Sequence, residues 1–432
     1  MGPLRIWPNG NSSESGVRAR RCARVRRVDG APLRWIVTGC LLVWSVACAP
    51  PRTPKEEREH RAGRGDGDIV IAVVWPWQAR KDILFRQGLE LALEEAALAG
   101  GLGGRRIRLL EEDDRESVDE GMLLAQRLAN DLDVVAVIGH LQSYVAIPAA
   151  AIYDLAGIVL ICPTSTSPAL TSEGYERVFR TTFTDDVTGR EMADFAFRQG
   201  YRRVAVYYVR NPYGRSLANA FEERAAELGI AIVQRASYDP DRQRQHGAGF
   251  EPTFREWRRL DLDAMFVAGQ APEAGFLIAE ARRNGITVPV LGSDAMATQS
   301  LIAAGGAAVE GTVLPAAFHP DDKRQAVQRF VRAFTKRFGQ PPDVGAALAY
   351  DALSVLVHAI REAGTPAPGA VARALRSLRD WEGVTGRFGF DDRGELIEPR
   401  LVKVVVRNGR FEYLDEGALA ERELSGAAAT GS

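Results

Sequence analysis

The sequence contains few of the residues from which disulfide frameworks and metal sites are built. It has 4 cysteines and 5 histidines among 432 residues. After Cys48 only Cys162 remains, so this part of the chain cannot form an internal disulfide. The histidines lack the short spacings of metal ligands, and Cys162 lies in an apolar run that suggests a small buried side chain. The sequence therefore predicts neither a disulfide-stabilised fold nor a metal site.

The motifs of common enzyme classes are also missing. There is no phosphate-loop lysine motif and no exposed-serine elbow. Gly100–Gly104 follows a helical segment, whereas a dinucleotide-binding loop follows a strand. Asp185 and Asp186 are interpreted as helix caps or hinge contacts, because no third metal ligand is near them in sequence. His140 is interpreted as a structural residue whose ring bonds to backbone. An enzyme and a cofactor are therefore not predicted.

The chain has no large excess of either charge, since its formal net charge is −1. Residues 1–48 are basic and the remainder is mildly acidic, which gives no support for nucleic-acid binding. Beyond the N-terminal region, no segment approaches 18 consecutive apolar residues. A second membrane span, which a sensor kinase or chemoreceptor would need, is not predicted.

The N-terminal region has the pattern of an export signal. The arginine-rich segment Arg18–Arg34 precedes the apolar run Trp35–Ala47, which is short for a membrane span. Small residues before Cys48 resemble a bacterial lipoprotein signal, which implies that Cys48 is lipidated. The alternative is an ordinary signal cleaved after Ala47 or Ala49. Residues 49–67 are charged and contain proline and glycine, so we predict a flexible tether there.

The remaining 350 or so residues suit two domains and alternate between strand and helix patterns. The predicted strands are Asp68–Trp75, Arg106–Glu111, Asp133–His140, Ile158–Pro163, Arg203–Val209, Ile230–Arg235, Ala264–Ala268, Val288–Leu291, Leu401–Arg407 and Arg410–Leu414. The predicted helices are Leu84–Ala99, Ser117–Asp131, Leu141–Gly157, Val187–Gly200, Gly214–Leu228, Glu251–Arg259, Pro272–Asn284, Asp322–Phe338, Ala346–Ala363 and Ala367–Leu378.

This order predicts an α/β fold of two doubly wound parallel-sheet lobes, joined by a hinge around a ligand cleft. Lobe 1 is predicted to contain residues 68–184 and 316–378, and lobe 2 residues 185–315 and 379–416. Residues 417–432 are predicted to form a loose tail. Closure of the lobes over a ligand is the motion expected of such a fold.

Hydroxyl residues follow two neighbouring strands of the predicted first sheet. Ser143 lies near the start of a helix after the strand that ends at His140, and Thr164–Pro168 follows the next strand. Ligands of open parallel sheets bind at strand ends, and helix-start N–H groups with adjacent hydroxyls suit a carboxylate. An alternative is that Ser143 and Thr166 only cap helices.

Several local patterns occur in an order and at a spacing that resemble the Leu/Ile/Val-binding protein family. These are the type I periplasmic receptors of ABC transporters for amino acids and amides. The resemblance covers about Asp68 to Leu414. Its patterns include Val137-Ile138-Gly139-His140 with Ser143, Pro163 with Thr166, Asn211-Pro212-Tyr213-Gly214, and Ala349-Tyr350-Asp351-Ala352. The resemblance implies a periplasmic-binding-protein-like type I fold.

The resemblance also implies a set of ligand-binding residues. The α-carboxylate of a ligand would be held by the Ser143 side chain and N–H. The loop after the next strand would supply the Thr164 carbonyl and the Thr166 side chain to the same site. Asp294 fits the acid of the second lobe that meets the α-ammonium, although a glutamate is common there. Tyr213 matches an aromatic residue of the second lobe that faces the ligand.

The chain departs from the family pattern at the side-chain end of the expected pocket. Gln270 stands where an aromatic residue often occurs, and the loop Trp75–Asp82 is shorter and different. Trp77 could form an aromatic wall there. Glu116 and Gln142 lie near the positions of a cysteine pair found in some members.

Together with the export signal, the resemblance implies a monomeric, lipid-anchored receptor in the periplasm or on the cell surface. It would deliver an amino acid or small amide to an ABC permease in the inner membrane. Alternatively, the same fold could serve as a ligand-sensing module for a signalling partner. An enzyme on a doubly wound fold is a third possibility, which lacks a nucleophile–base pair in this sequence.

Overall fold

The computed structural model describes residues 52–100, 102–239 and 250–414. The proposed lipidation site Cys48 and the tail predicted at 417–432 lie outside these residues.

The first lobe is built on a parallel sheet in which five described strands follow the order β2-β1-β3-β4-β5. Strands β1 and β3 are apolar along their whole length and buried on both faces, as expected for central strands covered by helices. The strands are β1 (Ile69–Val74), β2 (Ile107–Glu112), β3 (Val134–Gly139), β4 (Val159–Cys162) and β5 (Val178–Arg180). The helices are α1 (Pro54–Gly63), α2 (Phe85–Leu98), α3 (Val118–Asn130) and α4 (Ser143–Ala156).

The second lobe has a mixed sheet of seven described strands in the order β14-β13-β10-β9-β8-β6-β7. Its parallel strands are β6 (Arg203–Val209), β7 (Ala231–Tyr238), β8 (Ala264–Ala268), β9 (Val290–Leu291) and β10 (Val313–Ala316). The helices are α5 (Asp185–Arg198), α6 (Pro212–Glu227), α7 (Glu251–Trp257), α8 (Glu273–Arg283) and α9 (Gln299–Gly305). The strand predictions are confirmed, and among the strands of the two lobe sheets sequence reasoning missed the short strands β5 and β10.

After β10 the chain returns to the first lobe. Three helices follow, namely α10 (Gln325–Phe338), α11 (Val344–Ala363) and α12 (Pro368–Ser377), and then the two-stranded β11 (Trp381–Glu382) and β12 (Arg387–Phe388). The antiparallel pair β13 (Val402–Arg407) and β14 (Arg410–Tyr413) completes the second sheet.

The predicted lobe boundary at residue 379 is wrong. Phe388 and Phe390 are buried in the core of the first lobe, and Arg180 of β5 donates its N–H to the Gly394 carbonyl at 2.9 Å. The chain therefore crosses back to the second lobe between Leu396 and Val402. The other boundary moves by one residue, because Ala316 pairs with Val402 in the second sheet.

The prediction of a flexible tether at 49–67 is also wrong for part of that range. Thr53 and Glu56 form a capping box that starts α1, with proline at the first turn. Arg58 is fully buried beneath the first lobe. Its guanidinium donates to four backbone carbonyls, those of Ala129, Asp131, Val134 and Ala156. Charged composition suggested a solvated linker, but one arginine satisfies carbonyls at the ends of α3 and α4.

The long apolar helix α11 forms part of the first lobe's core. Among the described residues it alone is long and apolar enough to cross a membrane, by length and composition only. Most of its residues are buried, and it packs closely on α2. Gly88 permits that approach, since a Cβ there would lie 2.1 Å from the Ala346 carbonyl oxygen.

Candidate functional site

Each lobe has a crevice where its strand order changes direction. In the first sheet β1 lies between β2 and β3, and in the second β6 lies between β7 and β8. Crevices of this type, at the carboxyl ends of strands, bind ligands in open α/β sheets. A cavity of about 380 Å³ is lined by residues that follow β1, β3, β6 and β8. The two crevices thus contribute to one cavity between the lobes.

Ser143 occupies the cavity wall as the first residue of α4. Its side chain accepts a hydrogen bond from the Ser167 N–H at 3.4 Å. Among the described hydrogen bonds, none uses the Ser143 N–H. The preceding residue, Gln142, makes no side-chain cap. The N-terminus of a 14-residue helix therefore presents an unused donor to the cavity, which suits an anionic group.

Thr164 also lines the cavity, directly beyond β4. Its hydroxyl donates toward the carbonyls of His140 and Leu141, each at 3.2 Å. The Ser165 hydroxyl donates to the same His140 carbonyl at 3.2 Å. These bonds fix the loop that follows β4 against the loop that follows β3.

A buried ion pair holds the loop that follows β4 in position. Arg180 is fully buried and donates to both carboxylate oxygens of Glu395, at 2.8 and 3.0 Å. The same guanidinium donates to the carbonyls of Ser165 and Ser167. Sequence reasoning did not find this pair, because 215 residues separate its members.

Thr166 is not brought to the cavity wall. It is 2% exposed, and its carbonyl accepts a hydrogen bond from the Asp185 N–H at 2.9 Å. Thr166 therefore connects the loop after β4 to the start of α5, where the chain first crosses between lobes. Its predicted contact with a ligand is not part of this geometry.

Asp294 and Tyr213 come together on the opposite wall of the cavity. Asn211 caps α6 by accepting from the Gly214 N–H at 2.9 Å, which sets Tyr213 in the first turn. The Tyr213 hydroxyl donates to Asp294 Oδ1 at 2.8 Å. Ser293 donates its hydroxyl to the Gly269 carbonyl at 2.7 Å and so fixes the backbone before Asp294. The second lobe thereby presents a positioned carboxylate.

Burial raises the pKa of Asp294 to about 6, while the hydrogen bond from Tyr213 acts in the opposite direction. Burial also raises the pKa of Asp185 to about 8, against the hydrogen bond from Ser216. Asp185 does not line the cavity. A carboxylate held in a poorly solvated place is stabilised by an arriving cation.

Gln270 lines the cavity as predicted, whereas the predicted tryptophan does not. Gln270 lines the cavity, and its side-chain amide donates to Gln142 Oε1 at 2.7 Å. Trp77 does not line the cavity, since it packs against Trp75, Phe85 and the Arg86 guanidinium. Trp75 lies on the cavity wall instead.

Arg80 and Gln142 are cavity residues that sequence reasoning missed. Arg80 lies in the Trp75–Asp82 loop, whose departure from the family pattern was the signal available. Its guanidinium pairs with Glu116 at 2.6 Å, and Glu116 also accepts from Gln142 at 2.9 Å. Glu116 and Gln142, which lie near the positions of a cysteine pair in some members, are therefore joined by a hydrogen bond in this chain.

The remaining wall is mainly apolar. Its larger side chains include Ile83, Leu141, Phe183, Phe318, Val344 and Leu348. Such a surface favours an apolar group on the ligand, away from the polar ends at Ser143 and Asp294.

His140 is structural, but its partners differ from those predicted. Its ring contacts side chains: Nδ1 lies 2.8 Å from Asp114 Oδ2 and Nε2 lies 3.1 Å from the Tyr153 hydroxyl. In the described part of the chain, no three His, Cys, Asp or Glu side chains are grouped so that they could hold a metal ion.

The sequence profile of a family described as periplasmic binding protein matches residues 78–409. The chain belongs to the periplasmic binding protein family. It is 30% identical to Leu/Ile/Val-binding protein homolog 2 of Brucella abortus, over 82% of this chain and 95% of that protein. It is 29% identical to the leucine-, isoleucine-, valine-, threonine- and alanine-binding protein of Pseudomonas aeruginosa, over 72% of this chain and 82% of that one.

Solved structures of the family have the same fold. An ABC transporter substrate-binding protein from Desulfitobacterium hafniense, in complex with Leu, is 37% identical with a TM-score of 0.72. The match covers 80% of this chain and 100% of that one. A leucine-binding protein from Thermotoga maritima is 28% identical with a TM-score of 0.73, over 80% of this chain and 98% of that one.

These matches confirm the resemblance to the Leu/Ile/Val-binding proteins and the type I fold of two lobes. Periplasmic binding proteins bind solutes and are not enzymes, and membership implies a location outside the cytoplasm.

Proposed function

We propose that this protein is the receptor of an ABC transporter and that it binds an α-amino acid with an apolar side chain between its lobes. One observation carries the proposal. A single cavity has the N-terminus of α4 with Ser143 on one wall and the carboxylate of Asp294 on the other. These two ends match the opposite charges of an amino acid, and the apolar wall matches its side chain.

Binding would begin on the first lobe, where the ligand carboxylate accepts hydrogen bonds from the Ser143 N–H and hydroxyl. The Thr164 carbonyl, which no described hydrogen bond uses, would accept from the ammonium group. Closure would then bring Asp294 onto the ammonium, and Tyr213 would hold the carboxylate of Asp294 in place. The ligand favours the closed form because only that form offers both ends.

The relatives suggest the type of ligand and the partner. The Desulfitobacterium structure contains Leu, and that protein is described as a substrate-binding protein of an ABC transporter. By this similarity the ligand would be a branched-chain amino acid, delivered to a permease by a monomeric receptor. Lipidation at Cys48 would keep the receptor at the membrane surface.

A thermal-shift screen of the protein against amino acids and small amides tests the proposal. A ligand at about 100 times its dissociation constant adds about 2.7 kcal/mol to the free energy of unfolding. L-Leucine, L-isoleucine or L-valine should raise the melting temperature of the wild type. Ser143→Ala should weaken binding by about 1–3 kcal/mol, since a buried carboxylate loses a partner.

Ser172→Ala is a matched control, because Ser172 is an exposed serine of the same lobe and does not line the cavity. It should bind like the wild type. A wild type that responds to none of the amino acids, or a Ser143→Ala variant of unchanged affinity, would contradict the proposed site.

A further inference from the structure

A chain of polar side chains joins the two lobes beside the cavity. Arg80, Glu116 and Gln142 belong to the first lobe, and Gln270 and Ala271 belong to the second. Within this chain of side chains, two hydrogen bonds cross between the lobes: Gln270 Nε2 donates to Gln142 Oε1 at 2.7 Å, and Arg80 Nη1 donates to the Ala271 carbonyl at 3.0 Å. We call these four side chains, Arg80, Glu116, Gln142 and Gln270, the strap.

The first-lobe half of the strap is held in position by its own bonds. Glu116 Oε1 accepts from Arg80 Nε at 2.6 Å and from Gln142 Nε2 at 2.9 Å. The Arg80 and Glu116 side chains are only 14% and 10% exposed, so water screens this pair weakly. Glu116 therefore orients both first-lobe side chains toward the second lobe before the lobes meet.

The crossing bonds depend on the distance between the lobes. Opening the cleft would break both of them, while the bonds to Glu116 would remain inside the first lobe. One crossing bond has a charged donor, and such bonds are stronger than neutral ones. The strap thus adds to the stability of the closed form without requiring a contact to the ligand.

We propose that the strap is a positioning device that holds the lobes closed over the bound ligand, with Arg80 as its central residue. The inference rests on the proposed function, in which closure traps the ligand. Affinity then depends on how fully the protein itself favours closure, because apparent affinity is reduced by the fraction of molecules that cannot close.

The strap predicts a specific kinetic signature. Its bonds form after the ligand has entered, so losing them should speed ligand release and leave association nearly unchanged. Arg80→Ala and Gln270→Ala should each raise the dissociation rate of L-leucine about tenfold, by the magnitude of a charge-assisted or buried hydrogen bond. Arg80→Lys should release L-leucine faster than the wild type but more slowly than Arg80→Ala, since one ammonium replaces the two donor positions that reach Glu116 and Ala271.

Stopped-flow and calorimetric measurements on the purified protein and its variants test these values. Arg337→Ala is the matched control, because Arg337 forms an exposed ion pair with Glu94 within the first lobe. It should leave affinity and release unchanged. An unchanged dissociation rate in both Arg80→Ala and Gln270→Ala would overturn the strap.

A distance measurement separates the strap from direct ligand contact. Leu155 and Phe276 are exposed, one on each lobe. Each can be replaced by an azide-bearing amino acid, to which a spin label is attached without reacting with cysteine. With saturating ligand, Arg80→Ala should shift the distribution of interlobe distances toward an open form relative to the wild type. Weaker binding with an unchanged distribution would assign Arg80 to the ligand instead and refute the strap.

The same labels test the strap if the wild type binds no amino acid in the screen. In the ligand-free protein, Arg80→Ala should lower the closed population that the wild type shows. If that population is unaffected, the strap fails independently of the ligand. If it falls, the strap stands and only the proposed ligand fails.

Discussion

Amino-acid binding by this protein is predicted to weaken in mild acid because Asp294 must be ionised to hold an ammonium group. Burial raises the pKa of the Asp294 carboxyl to about 6 without ligand, well above its ordinary value of 3.8. A bound ammonium favours the charged carboxylate, so the pKa of Asp294 in the complex is lower than in the free protein. The complex therefore binds fewer protons, and lowering the pH opposes its formation.

The size of the effect follows from the pKa of about 6 in the free protein. At about pH 7 roughly nine-tenths of Asp294 is ionised, and at about pH 5 roughly one-tenth. The dissociation constant should therefore rise about tenfold between these values, which is about 1.4 kcal/mol of binding free energy. The dissociation constant should change little between pH 7 and pH 8 and should rise more steeply as the pH falls below 6.

Isothermal titration calorimetry with L-leucine across this range measures the effect. Asp294→Asn should bind more weakly at neutral pH and lose most of the pH dependence, because its amide does not titrate. A dissociation constant that stays flat from pH 7 to pH 5 would refute the assignment of Asp294 to the ammonium. An Asp294→Asn variant with the full pH dependence would refute it equally.

Three further predictions concern stability and can be checked by chemical denaturation. Glu395→Ala should lower the free energy of unfolding by about 3–5 kcal/mol, because it leaves Arg180 buried and uncompensated; a loss below 1 kcal/mol would contradict that view of the pair. Gly88→Ala should destabilise by about 1–3 kcal/mol or more, since its Cβ would meet the Ala346 carbonyl, and wild-type stability would show that the helices move apart freely. Arg58→Ala should lower the free energy of unfolding by about 1–3 kcal/mol, because four backbone carbonyls lose the hydrogen bonds that its guanidinium donates, and an unchanged midpoint would mean that α1 does not dock on the first lobe.

Periodicity predicted most of the fold because its central strands are long and apolar. The run Val134–Gly139 is buried on every residue and could be recognised from its sequence alone. The strands that were missed are short, such as Val178–Arg180 with 3 residues and Val313–Ala316 with 4. Strands of this length give too few residues to establish a period, and their pairing partners lie far away in sequence.

The sequence predicted those residues of the candidate site that lie just beyond the end of a single strand. Ser143, Thr164, Tyr213, Gln270 and Asp294 all reach one cavity, although their ligand contacts remain predictions.

What sequence reasoning could not supply were contacts between distant segments. Arg80 contacts Glu116, which is 36 residues away in the sequence, and Ala271, which is 191 residues away. The charged segment at α1 was predicted as a solvated tether, because no local pattern shows that Arg58 finds carbonyls 71 to 98 residues away.

A crystal structure of the protein with L-leucine bound would test the central claim most directly. We predict the ligand carboxylate within hydrogen-bond distance of the Ser143 N–H, its ammonium beside Asp294, and its side chain against the apolar wall that includes Leu141 and Phe183. A ligand bound elsewhere, or one that contacts only a single lobe, would contradict the account.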